Sequence, residues 1–209
     1  MTDIDTLIEQ IRERAQDDSR ATDDGRAPGK VAAPPATEAE VSAATVQLGF
    51  LLPSFLQRLY KEVGAGGFGP GHGLFSILLE TDTLADQYKA RREPGKDRRP
   101  TNWPDGLLPI VDWGSGILSA VDCMKADLPV VRLDANMPKV DVLTRVPSEW
   151  HYEKAGRIPE ACWLEAASLQ RWLEDWIEGR QLFYRAYSLG TLDVDLEGDD
   201  EAEEEDEEE

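Results

Sequence analysis

Apolar side chains return at helical spacing in four stretches of this chain, and short β-branched runs bounded by turn residues fill much of its middle. Ile4, Leu7, Ile8 and Ile11 form one stripe and predict a first helix. The polar, then Ala/Pro-rich stretch after it holds Pro28, Pro34 and Pro35, which forbid regular structure, so this helix is expected to be tethered rather than embedded. Thr37-x-x-Glu40 makes a capping box ahead of Val41, Ala44 and Val46, predicting a second helix that ends near Gly49. Phe55, Leu56, Leu59, Tyr60 and Val63 predict a third, with Pro53 in its first turn and Gly64 as its left-handed cap. GLFSILL (73–79) reads as a buried strand, and Thr83 to Glu93 is helical in composition, ending before Pro94-Gly95. The runs LLPIVDW, GILSAVDCM, LPVVRLD and KVDVLTRV are separated by Gly-Ser-Gly, an Ala-Asp pair and Asn136-Met137-Pro138, the spacing of an antiparallel meander. Leu169, Trp172, Leu173 and Trp176 predict a last helix from Ser168 to about Gly179. The expected fold is α+β, one antiparallel sheet covered by helices.

The glycine loop invites a catalytic reading, which its context rejects. Gly64, Gly66 and Gly69 satisfy G-x-G-x-x-G, but a dinucleotide site needs a strand before the glycines and a helix N-terminus after them. Here a helix comes first, a strand is expected after, Pro70 removes a donor, and no G-K-[ST] follows. Gly64, Gly66, Gly67, Phe68, Gly69 and Pro70 are therefore expected to form a structural loop, with glycines at positive φ and Phe68 plugging the core. Asp112 and Asp122 are the pair a glycosidase would use, but a turn at Gly114–Gly116 leaves Asp112 beside it and Asp122 about five residues away, roughly 16 Å. Asp112 is better placed to accept turn amides. His72 and His151 have no neighbours at ligand or triad spacing, and Ser115 lacks the G-x-S-x-G form of a nucleophile elbow. No catalytic, cofactor-binding or metal-binding residue is assigned, and no enzyme is expected.

Three blocks taken together carry a resemblance that none carries alone: the third predicted helix with AGGFGPG, Trp103-Pro104 with LLPIVDWGSGILSAVD, and SLQRWLEDWIEGRQLF. In this order, over roughly residues 38 to 183, the chain resembles the SUKH superfamily, which includes the yeast regulators of cell-wall assembly and many bacterial immunity proteins. Where the family often has Asn before its glycine pair, this chain has Ala65, which lacks that side-chain hydrogen bond. The resemblance implies a protein-binding module, first of all a cytoplasmic antidote occluding a toxin domain with a basic surface, such as a nuclease. The alternative it implies is a regulatory or scaffold adaptor. Tryptophan is enriched at binding hot spots. Trp103, Trp113 and Trp150 are expected near strand ends or loops, half-exposed, and with the acidic residues Asp112, Asp122 and Glu149 they are the candidate partner contacts.

Charge and composition sharpen this picture. The net charge is −20 over 209 residues, and Asp193 to Glu209 alone carries thirteen acidic residues and no base, leaving −7 for residues 1 to 192. Such a tail repels itself and is expected to be disordered. Nucleic acid is not expected as a direct ligand, because binding it needs Lys and Arg against phosphates. The one basic cluster, Arg91, Arg92, Lys96, Arg98 and Arg99, lies in a Pro/Gly loop. Cys123 and Cys162 stand far apart in no C-x-x-C pattern, so neither a disulfide framework nor a zinc cage is indicated and the compartment is expected to be reducing. No apolar leader or run of eighteen apolar residues occurs, so no membrane association is expected and the location is read as cytoplasmic. The expected organisation is an amphipathic helix in 1–20, a linker in 21–37, the SUKH-like domain in 38–192 and the acidic tail in 193–209.

Overall fold

The computed structural model describes residues 2–17, 32–78, 81–93 and 102–188. The acidic tail, most of the linker, Leu79 and the basic residues Lys96, Arg98 and Arg99 lie outside them. Among the described residues seven α-helices and four strands follow one another: α1 (Ile4–Gln16), α2 (Glu38–Leu48), α3 (Ser54–Glu62), α4 (Leu84–Arg92), β1 (Leu107–Gly114), β2 (Ile117–Asp122), β3 (Val130–Asp134), α5 (Lys139–Arg145), β4 (Ala161–Ala166), α6 (Leu169–Ile177) and α7 (Leu182–Tyr187). The strands form one antiparallel sheet in the order β1-β2-β3-β4, so the expected α+β architecture holds.

Local signals set most helix starts. Thr37 and Glu40 close the capping box of α2, and Gly49 ends it in the left-handed region at φ 79°. Thr83 and Asp86 make a second box at α4, and the Ser168 hydroxyl caps α6. The β1–β2 turn has φ 52° at Ser115 and 78° at Gly116, the backbone that a two-residue hairpin turn matched to strand twist requires.

Several elements differ from what the sequence predicts. Helix α1 is embedded, not tethered: Leu7, Ile8 and Ile11 are buried in the same core as Leu56, Leu59, Leu169 and Leu173. In α2, Val46 is 80% exposed, and Leu48 turns inward instead. Gly64 is not a left-handed cap. It is needed because a Cβ there would lie 2.5 Å from the carbonyl oxygen of Ala33, which passes close by. Of the run 73–79, the described residues 73–78 form no strand. Only Leu74 bridges to Val111, Ser76 takes the Leu78 amide at 3.1 Å on its hydroxyl, and Leu78 is exposed. Finally, KVDVLTRV is the helix α5, and the fourth strand is ACWLEA, β4. The Val140, Val142, Val146 alternation suits a strand, but the edge of β3 is taken by β4, which buries Trp163 there. Pro138 then starts a helical turn, and Asp141 in its first turn and Arg145 in its last suit the helix dipole.

Candidate partner-binding site

The glycine loop follows α3 and borders the outer edge of β1, where the Phe75 amide meets the Ile110 carbonyl at 2.9 Å and the His72 amide that of Asp112 at 3.2 Å. Two glycines make this approach possible. Gly66 has φ 139°, and a Cβ there would sit 2.4 Å from the Cα of Ser76. Gly71 has φ 61°, and its Cβ would sit 2.9 Å from Val111 Cγ1 and 3.0 Å from Trp113 Cε3. Phe68 is fully buried as expected, and Ala65, where the family often has Asn, is fully buried with its amide 3.0 Å from the Pro34 carbonyl. The loop therefore closes one side of Trp113.

Beneath Trp113 lies a polar set in the sheet. Ser119, Arg132 and Trp163 stand opposite one another across β2, β3 and β4 and so share one face. The Trp113 Nε1–H donates to Ser119 Oγ at 2.8 Å, Ser119 donates to Glu165 Oε2 at 2.6 Å, and Arg132 donates to Glu165 Oε1 at 2.7 Å. Trp172 Nε1–H completes the shell of Glu165 at 2.8 Å. The Arg132 guanidinium lies 4.4 Å from the Trp113 ring centre, 5.6 Å from that of Phe183 and 5.9 Å from that of Tyr187.

Over this face runs helix α7. Phe183 meets Trp113 at 5.7 Å between ring centres, Tyr184 and Tyr187 each meet Phe183 at 5.4 Å, and Tyr187 meets Trp163 at 5.5 Å. Trp163 in turn packs with Val142, Val146 and Trp150. The result is a band of aromatic contacts from the glycine loop to the 3-10 turn at Ser148–Trp150, with Tyr184 66% exposed and Trp113, Phe183 and Trp150 half-buried. Helix α7 is fastened by Tyr187 Oη to Asp134 at 2.7 Å, by Trp163 Nε1–H to the Ala186 carbonyl at 2.9 Å and by an ion pair between Arg185 and Asp175. Burial, then the Asp134 carboxylate, pushes the Tyr187 phenol well above its ordinary value, so it stays a hydrogen-bond donor. Beside the band, a cleft of about 390 Å³ is lined by Gly71, Trp113, Trp176, Arg180, Phe183 and Tyr184 among others.

The sequence candidates fall into two groups. Trp113 and Trp150 lie on the band, Asp112 flanks it, half-buried, and Glu149 is exposed next to Trp150. Asp112 accepts the Gly114 amide at 2.7 Å, the turn role expected of it. Trp103 is buried rather than half-exposed, with its Nε1–H on the Leu107 carbonyl at 2.7 Å and the Arg91 guanidinium over its ring. Asp122 is fully buried and takes Lys154 Nζ at 2.7 Å, Tyr152 Oη at 3.0 Å and the Met124 amide at 3.1 Å, which ties β2 to the segment before β4. Arg91 and Arg92 of the basic cluster pair with Glu160 and Asp105. Reasoning from sequence missed Phe183, Tyr184, Tyr187, Arg132 and Glu165. The signals were an aromatic run just past Gly179 and a lone charge inside each of the apolar strands VVRLD and ACWLEA.

The site presents a partly exposed aromatic surface. Burial pushes the thiols of Cys123 and Cys162 well up, which keeps them protonated. Among the described residues no group of three His, Cys, Asp or Glu is placed to hold a metal, and no helix is long and apolar enough to cross a membrane. The molecule at this point is an α+β domain presenting an aromatic surface beside a glycine loop. Residues 35–138 match the model of the SMI1/KNR4 family (SUKH-1), and the chain belongs to the SUKH superfamily. Proteins of this family are in general non-enzymatic modules that bind partner proteins. No curated protein matches the chain significantly.

Proposed function

We propose that this protein is a cytoplasmic immunity protein without catalytic activity, which binds a toxin domain, such as a nuclease, and blocks it by occlusion. The observation that carries the reading is the partly exposed aromatic band formed by Trp113, Phe183, Tyr184, Tyr187 and Trp150 on a SUKH domain. Rigid, amphipathic rings of this kind supply most of the energy at protein interfaces. The net charge of −20 complements the basic surface that a nuclease presents to its own substrate and speeds encounter with it. Trp113, Trp150, Asp112 and Glu149 are retained as contacts, with α7 added. The match to the SMI1/KNR4 branch in particular favours a second reading, a regulatory adaptor.

The test is to read the genes on either side of this one for a secreted toxin, and to measure by calorimetry whether the full-length protein binds the toxin domain so found. Tight binding that silences the toxin, and that Tyr184→Ala with Trp113→Ala weakens by about a hundredfold or more, supports immunity. A full-strength toxin in the presence of saturating protein rules it out. An unrelated cytoplasmic complex recovered instead would support the adaptor.

A further inference from the structure

We infer that Arg132, Glu165 and Ser119 form a positioning device for Trp113, which holds its indole in a single orientation as a preformed anchor for the partner. The inference rests on the reading that the aromatic band faces that partner. Its first support is that the ion pair is poorly built for stability. The Arg132 and Glu165 side chains are 0% and 3% exposed, and a buried pair of this kind is often no better than two well-packed apolar residues. Moreover, Arg132 Nε and Nη1 are buried with no protein acceptor, so that apart from Nη2, which serves Glu165 and the Leu182 carbonyl, the guanidinium faces aromatic rings.

The second support is where the set converges. A serine hydroxyl has one proton and can donate it once. Because the Glu165 carboxylate can only accept, Ser119 gives that proton to Glu165 and leaves a lone pair for the Trp113 Nε1–H. Arg132 at once neutralises Glu165 and lies against the indole face at 4.4 Å. The edge of the ring is closed by Gly71, where any Cβ would come within 3.0 Å of Cε3, and a further side by Phe183. Trp113 is thus held on several sides while remaining half-exposed. A large ring already fixed in its bound orientation loses little entropy when a partner covers it, which is the gain that preorganisation brings.

The experiment uses the full-length protein labelled with 5-fluorotryptophan, with the Trp113 resonance among the six assigned by its loss in Trp113→Phe. The wild type should give one narrow Trp113 line and a slowly exchanging indole N–H. Ser119→Ala should broaden or split that line and speed exchange about tenfold, roughly what one hydrogen bond is worth, while the lines of Trp103 and Trp150 stay put. Ser119→Thr, which restores a hydroxyl, should restore the narrow line. Arg132→Lys keeps the charge but loses the planar stack, and it should broaden the same resonance, which provides a second route if Ser119→Ala does not fold. An unchanged Trp113 line and exchange rate in both variants, whatever their melting temperatures, would overturn the inference and leave the set purely structural. If the line responds as expected but Trp113→Ala binds the partner captured by the wild-type protein as tightly as wild type does, the interface reading falls, and with it the purpose assigned to the device.

Discussion

Single residues in this protein are constrained most tightly where backbone passes backbone. At Gly66 two demands coincide, a φ of 139° and a neighbouring Cα that would be 2.4 Å from any Cβ. Gly66→Val should therefore destabilise the fold by at least a few kcal/mol, read as a fall in the urea midpoint. A variant with an unchanged midpoint, or saturable nucleotide binding by wild type that the variant loses while still folded, would show the loop to be more than a scaffold. Glu174 is constrained by charge. Burial opposes its ionisation, but the Thr2 amide at 2.7 Å and the Gln170 side chain at 3.2 Å outweigh that and hold the carboxyl below its ordinary value. A carboxyl lowered on folding adds stability above the unfolded-state pKa, and that stability is lost as pH falls through the folded one. Melting temperature should thus decline as pH drops below the usual glutamate range, and Glu174→Gln should start lower at neutral pH and decline less. Parallel pH profiles for the two proteins would remove Glu174 from the account.

Among the elements, α6 binds the others together. Its Trp172 reaches Glu165 under the aromatic band, its Asp175 pairs with Arg171 and Arg185, and the ring of Trp176 lies 4.5 Å beneath the Arg14 guanidinium from α1. Trp176 is 3% exposed. Trp176→Ala should cost roughly 3 to 5 kcal/mol, because the cavity adds to the lost transfer energy. Calorimetric melting decides the point: an unchanged melting temperature with loss of partner binding alone would make this helix face an interface. The helix periodicity of α1, α3 and α6 was legible from sequence because each has one apolar face and one wall to bury it against. Helix α5 was not, since it buries only Val142 and leaves Val140 and Leu143 exposed, so its pattern carried no information about the partner surface that decided it.

For the whole molecule the dominant feature is charge. Thirteen of its acidic residues fall between Asp193 and Glu209, after α7 and the band it covers. Such a segment repels itself, so a chain shortened to end at Leu192 should melt close to the full-length protein. With a basic partner the tail acts through its field, which decays over about 8 Å at physiological salt. Shortening should then slow association at low salt and leave dissociation nearly unchanged, measured by stopped flow across a salt series. Equal on-rates at low salt would leave the tail with solubility alone, and a large rise in off-rate would make it a direct contact.

Legible in the sequence alone were the class of fold, the position of most helices, the positive φ of Gly66, Gly67 and Gly69, and the turn role of Asp112. These depend on periodicity, capping and turn chemistry, which act within a few residues and leave a local imprint. Tertiary structure alone decided that α1 belongs to the core, that β4 rather than residues 139–146 pairs with β3, and that Trp103 and Asp122 turn inward while Trp113 and Trp150 reach the surface. It also gathered Arg132 from β3, Glu165 from β4, and Phe183 and Tyr187 from α7 around Trp113 of β1. Burial and long-range pairing depend on which surfaces meet in space, and no window of neighbouring residues contains that information.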